Sequence, residues 1–132
     1  MTDGNVRKDF PGGFPGDTRS CFTTEGRTKA ENDMFRWTAR LLHWRQGNEV
    51  ITKGKQTQFI PQNGVYVVAR SYNGKNVMTV INGTSKAATM QAERYAEIIG
   101  DAQEATNILT GHKINISKDV KLAPRGVMVL EF

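Results

Sequence analysis

The chain has 132 residues, a formal net charge of +5, and 38% apolar against 23% charged side chains. This is one domain's worth of globular composition, too short for two well-separated domains and too apolar for disorder. It has no apolar run near the roughly 18 residues of a membrane helix. The single Cys21 excludes an internal disulfide framework. Basic and acidic residues number 8 and 6 in residues 1–47 and 10 and 7 in residues 48–132, so the positive charge raises nucleic acid as a partner without supplying a basic patch.

Residues 1–27 open the chain with a stretch dense in Gly and Pro. Phe10-Pro11-Gly12-Gly13-Phe14-Pro15-Gly16-Asp17 is a run of turn formers. A structureless segment of this length in a small domain points to a functional loop or to part of something larger. Residues 28–46 read as a helix. Thr28 and Glu31 make a capping box, and Met34, Trp37, Leu41 and Trp44 recur at helical spacing with Phe35 and Leu42 widening the stripe. Gly47 is the expected stop. Trp37 and Trp44 are expected in a core, and the stripe must cover either the strands that follow or a missing neighbour.

From residue 49 the period changes to two. Residues 65–72 and 76–82 flank Asn73-Gly74, whose positive φ angles suit a tight hairpin turn. Further strands are expected at Glu49–Lys53, Gln56–Ile60, Ala87–Gln91, Asn107–Leu109, Lys113–Ile116, Val120–Leu122 and Val127–Phe132, with a turn at Thr110-Gly111-His112. Glu93–Ile99 reads as a helical turn or an extended crossing. So many short strands indicate an antiparallel sandwich or barrel.

The residues by themselves do not assemble an active site. Glycoside hydrolysis needs two carboxylates across the scissile bond, and Asp3, Asp9 and Asp17 share the glycine-rich loop but read as solvated turn residues. Cys21 with His43 or His112 lacks a local catalytic signature, and three scattered Cys and His residues do not make a zinc site. His43 sits near a helix C-terminus, where the dipole favours it, and His112 reads as a surface residue after a turn. Neither Gly12–Gly16 nor Gly54-Lys55-Gln56-Thr57 matches a dinucleotide or phosphate loop. Tyr66, Arg70 and Tyr72 alternate on one strand face as a single-strand nucleic-acid platform would, and Tyr66, Tyr72 or Tyr95 can stack on a pyranose. Cross-strand packing explains these aromatics equally well.

The motif from Asp3 to Asp17, with Glu31-Asn32-Asp33-Met34-Phe35 and Leu41-Leu42-His43-Trp44-Arg45, resembles the C-terminal end of α-amylase superfamily enzymes. The resemblance is to cyclomaltodextrinases and neopullulanases of glycoside hydrolase family 13, and it covers essentially the whole chain. It implies that residues 1–47 are the last βα loop and last helix of a catalytic (β/α)8 barrel. Residues 48–132 would then be a C-terminal Greek-key antiparallel β sandwich, so the fold class is mainly β. The implied function is an α-glucan-degrading glycosidase that acts with retention. This chain would stabilise the barrel and lack the catalytic carboxylates, which belong to earlier strands. Asp3 and Arg7 have the Asp-x-x-x-Arg spacing that the family uses for substrate binding, although Gly4 and Val6 replace the usual residues between them. The implied partners are the barrel of the same polypeptide, an α-glucan or maltooligosaccharide substrate and a second copy of the chain; nucleic acid and membrane are not expected. No cofactor or metal is expected in this chain, while calcium elsewhere in the enzyme and the choice between periplasm and cytoplasm stay open. The alternatives are a free-standing carbohydrate-binding module and a nucleic-acid-binding barrel.

Overall fold

The computed structural model describes residues 3–6 and 8–132. The chain divides into two units, Met1–Trp44 and Arg45–Phe132, with the division in the last turn of a long helix.

In the first unit, residues 8–28 are irregular backbone closed by hydrogen bonds. Asp3–Val6 form a short helix, α1. Gly12 then bridges to Ser20, the Cys21 N–H donates to the Pro11 carbonyl at 2.7 Å, and the segment between is closed into a loop. Helix α2 spans Lys29–Gln46 and starts at the expected capping box. The Thr28 hydroxyl accepts the Glu31 N–H at 3.3 Å, and the Glu31 carboxylate accepts the Thr28 N–H at 2.7 Å. The expectation that Trp37 and Trp44 lie in a core is overturned, because α2 has no buried residue. Met34, Phe35, Trp37 and Leu42 are 64%, 54%, 39% and 53% exposed. Leu41 and Trp44 are half-buried. Helical periodicity puts these side chains on one face, but burial requires a second surface.

The second unit is an antiparallel β sandwich. It opens with α3 (Glu49–Lys53), where a strand was expected. The β-branched run Val50-Ile51-Thr52 suggests extended backbone, but Asn48 caps a helix. Its side chain accepts the Val50 N–H at 3.0 Å and its carbonyl accepts from Ile51 and Thr52, and Lys53 pairs with Glu49 one turn away at 2.5 Å. Local capping outweighs a strand propensity that spans only three residues.

Eight strands follow: β1 Lys55–Gln58, β2 Val65–Tyr72, β3 Lys75–Asn82, β4 Ala88–Met90, β5 Glu104–Asn107, β6 Lys113–Asn115, β7 Val120–Leu122 and β8 Val127–Glu131. Six form one sheet in the order β1-β2-β3-β8-β5-β6, and β4 pairs with β7 in a second. The chain leaves the large sheet after β3 and β6 and returns through β8 between β3 and β5, which is the crossing expected of a Greek key. The β2–β3 hairpin runs from Val65 opposite Asn82 to Tyr72 opposite Lys75. Asn73 and Gly74, at φ 49° and 74°, make the turn. Residues 92–99 are helical, as a 3-10 turn Ala92–Tyr95 followed by α4 (Ala96–Ile99). The strand expected at Asn107–Leu109 is displaced towards the N-terminus. The Asn107 carbonyl accepts from Thr110 and Gly111, and its side chain accepts the Leu109 N–H, so the backbone turns there.

Val65, Val67 and Ala69 of β2, Met78 and Val80 of β3, and Leu130 of β8 face Met90, Tyr95, Ile99, Ile116 and Leu122 across the sandwich. Phe59 meets Tyr95 edge-to-face at 4.9 Å. Asn82, 1% exposed, has its polar atoms fully engaged within this apolar layer. Its amide donates to the Lys86 and Ala123 carbonyls at 2.7 and 2.9 Å, and its oxygen accepts from the Thr84 N–H and hydroxyl. It thereby ties the loop after β3 to the one after β7.

Candidate functional site

The chemistry-bearing residues singled out in the sequence fall mainly in the first unit. Asp3 lies on α1 with its residue exposed, while Arg7 is outside the described residues. Asp17 is the exposed turn residue expected, and its carboxylate closes that turn. Its Oδ2 accepts three successive backbone N–H groups, from Gly12, Gly13 and Phe14, at 2.9, 3.0 and 3.0 Å. The Asp17 N–H returns to the Phe14 carbonyl at 2.9 Å. Successive N–H groups that converge in this way form an anion-binding concavity. The loop that superficially suggests a phosphate site therefore holds a carboxylate of its own. Gly13 and Gly16 sit at φ 79° and 101°, where a side chain is strained.

A second set of contacts fastens residues 19–27 to the start of α2. Arg19 grips Glu31 with both amino groups at 2.6 and 2.8 Å and also donates to the Gly26 carbonyl at 2.9 Å. The Arg19 hydrogen bonds, with the Thr28 N–H, lower the Glu31 carboxyl to about 2 from its ordinary 4.5, and they raise the Arg19 guanidinium. Arg27 donates to Asn32 Oδ1 at 2.8 Å and to the Cys21 carbonyl at 2.9 Å, and it lies over the Phe35 ring at 4.1 Å. Around it is an open apolar cavity of about 530 Å³, lined among others by Phe10, Phe22, Met34 and Phe35. Phe10 and Phe22 meet edge-to-face at 5.0 Å. Cys21 is a free, half-buried thiol whose Sγ faces the Gly26 carbonyl at 4.0 Å, so its contact is structural. His43 is exposed on α2.

On the sandwich, Arg70 donates to the Gly54 carbonyl at 3.1 Å and to Gln56 at 2.9 Å, so its guanidinium pins β1 to β2. Tyr66 and Tyr72 are half-buried, whereas Tyr95 is 2% exposed and belongs to the core, so its own ring offers no face to a pyranose. His112 is exposed in its turn. Gly54 ends α3 and Lys55-Gln56-Thr57 are strand, so no phosphate loop forms there. Among the described residues, no three His, Cys, Asp or Glu side chains cluster to hold a metal, and no helix is long and apolar enough to cross a membrane.

The roles of Asp17, Arg19 and Arg27 escape sequence reading to different degrees. An Asp shortly after Gly-Gly is a local pattern that can be sought. The Arg19–Glu31 and Arg27–Phe35 contacts join residues 12 and 8 apart across irregular backbone, which no periodicity reports.

A family model described as the cyclo-malto-dextrinase C-terminal domain matches residues 56–131. Among solved structures, AmyP in complex with maltose is similar over 79% of this chain and 21% of its own, at 17% identity and a TM-score of 0.65. A noncanonic maltogenic alpha-amylase, AmyB from Thermotoga neapolitana, is similar over 77% of this chain and 26% of its own, at 17% identity and a TM-score of 0.62. An Anoxybacillus alpha-amylase is similar over 88% of this chain and 25% of its own, at 16% identity and a TM-score of 0.60. These identities establish likeness of fold. The chain spans between 21% and 26% of the length of these proteins.

Proposed function

This chain belongs to the cyclo-malto-dextrinase C-terminal domain family, and on that premise we propose that it is the C-terminal part of a multidomain α-glucan-degrading glycosidase. Residues 1–47 contribute the last loop and last helix of the catalytic barrel, and residues 48–132 are the sandwich that stabilises it. The loop of residues 8–27 borders the substrate cleft, because the active sites of (β/α)8 barrels lie at the C-terminal ends of the strands. Asp3 and Arg7 contribute to substrate binding there. Catalysis, with retention through a covalent glycosyl-enzyme, uses carboxylates of the preceding domain, and this chain alone is inactive.

The observation that carries the reading is the bare apolar face of α2, with Met34, Phe35, Trp37 and Leu42 all exposed. A large exposed apolar surface on a folded helix marks a partner surface. The other residues of a barrel are a partner of the right kind, since a barrel helix packs its apolar stripe on the strands it follows.

Reducing-sugar release from maltodextrin tests the reading. The longer polypeptide that carries this chain is expected to release it, and the isolated 132-residue chain is not. No release by the longer polypeptide, or release by the isolated chain, overturns the proposal. A second copy is the competing occupant of the α2 face. Sedimentation of the isolated chain as a dimer that persists in the longer polypeptide would assign the face to it.

A further inference from the structure

Phe14 is exposed in a different way from the other phenylalanines of its unit. It is 63% exposed yet does not line the apolar cavity that Phe10, Phe22 and Phe35 share. Both of its backbone polar groups are held by one residue, the N–H by the Asp17 carboxylate at 3.0 Å and the carbonyl by the Asp17 N–H at 2.9 Å. Its ring lies against the backbone of Gly12, so closely that a Cβ at that position would stand 2.3 Å from ring carbon Cε2. Gly12 is in turn fixed by Asp17 at 2.9 Å and by the Ser20 hydroxyl, which donates to the Gly12 carbonyl at 3.1 Å. One side of the ring is therefore backed by glycine and its backbone is clasped, while the rest is open.

A preset, solitary aromatic ring among polar groups suits a ligand with one apolar face and a hydroxyl rim. A protein partner would instead call for a contiguous apolar patch, which this unit carries elsewhere. Resting on the reading that this loop borders an α-glucan cleft, we propose that Phe14 is a stacking platform for a glucosyl unit of the substrate and that Asp17 is the positioning residue that holds it. The ring meets the C–H face of the pyranose, and the entropy of ordering the loop is already met before substrate arrives. Such contact acts on ground state and transition state alike, so it lowers KM and leaves kcat largely unchanged.

The test is steady-state hydrolysis of maltoheptaose by the longer polypeptide, with thermal midpoints measured alongside. Phe14→Ala is expected to raise KM about five- to tenfold with kcat within about twofold and the midpoint unchanged. Phe14→Trp restores the KM. Gly12→Ala, which keeps the ring but displaces it, and Asp17→Ala, which releases the clasp, raise KM in the same direction, and Asp17→Asn, whose amide oxygen can still accept the three N–H groups, raises it less. An unchanged KM in Phe14→Ala, or a KM that rises only with a falling midpoint, overturns the platform while leaving the glycosidase reading intact. A wild-type polypeptide that does not cleave maltoheptaose overturns both.

Discussion

The two units handle apolar surface in opposite ways. In the sandwich, Met78, Val80, Met90, Ile116 and Leu130 are shielded completely, and the polar side chains among them are satisfied, as Asn82 illustrates. In the N-terminal unit the longest helix of the chain buries nothing, while the irregular segment before it is tightly hydrogen-bonded through Asp17, Arg19 and Arg27. The sandwich has the interior of a domain that folds on its own contacts. The N-terminal unit has the polar order of a folded element and an apolar face left exposed. Hydrogen bonds can set the path of a loop, but apolar area is stabilising only when another surface removes it from water.

Four perturbations sharpen or break this contrast. The largest effect is expected from Leu130→Ala, at the centre of the sandwich. It should cost about 2–5 kcal/mol in urea unfolding of the isolated chain, through lost transfer energy and the cavity left behind; a loss below about 1 kcal/mol would show that the sandwich interior does not dominate stability. Asn82→Ala should cost about 1–3 kcal/mol, because the Thr84 N–H and the Lys86 and Ala123 carbonyls lose their partner inside the fold. A neutral outcome in the same assay would mean that water replaces the amide.

The Arg19–Glu31 clamp should respond to pH. Glu31 is lowered to about 2 when folded against an ordinary 4.5, so the unfolded chain takes up more protons between these values. The contribution of the clamp is complete above about pH 4.5 and is lost as the pH falls through about 2. The shift of the Thr28 amide, which donates to this carboxylate, should titrate near the lower value; a midpoint near 4.5 would break the assignment. The smallest effect is expected from Trp37→Ser on the α2 stripe. In the isolated chain it should change stability by no more than about 0.5 kcal/mol, whereas the same change in the longer polypeptide should be strongly destabilising. A large effect in the isolated chain would mean that the face is already covered.

Much of the fold is legible in the residues. Asn73-Gly74 between two alternating runs specifies a hairpin and its register, and Thr28 with Glu31 marks the start of α2. Where the secondary structure differs from expectation, a local hydrogen bond competes with propensity. Asn48 turns a β-branched run into α3, and Asn107 ends β5 where a strand over Asn107–Leu109 is expected. The candidate site was less legible. In the glycine-rich motif only the place of Asp17 shortly after Gly12-Gly13 hints at the turn it closes, and the Arg19–Glu31 and Arg27–Phe35 contacts have no local sign.

By itself the sequence determined the periodic elements, the helix cap, the hairpin turn and the β class, because these depend on residues within a few positions of one another. Tertiary structure alone decided which apolar residues are buried and which polar groups are paired. Trp37 and Leu130 are both apolar residues at regular positions in strongly patterned elements, and only the presence of an opposing layer places Leu130 inside and leaves Trp37 exposed. Burial is a property of two surfaces, and a sequence read along its length describes one at a time.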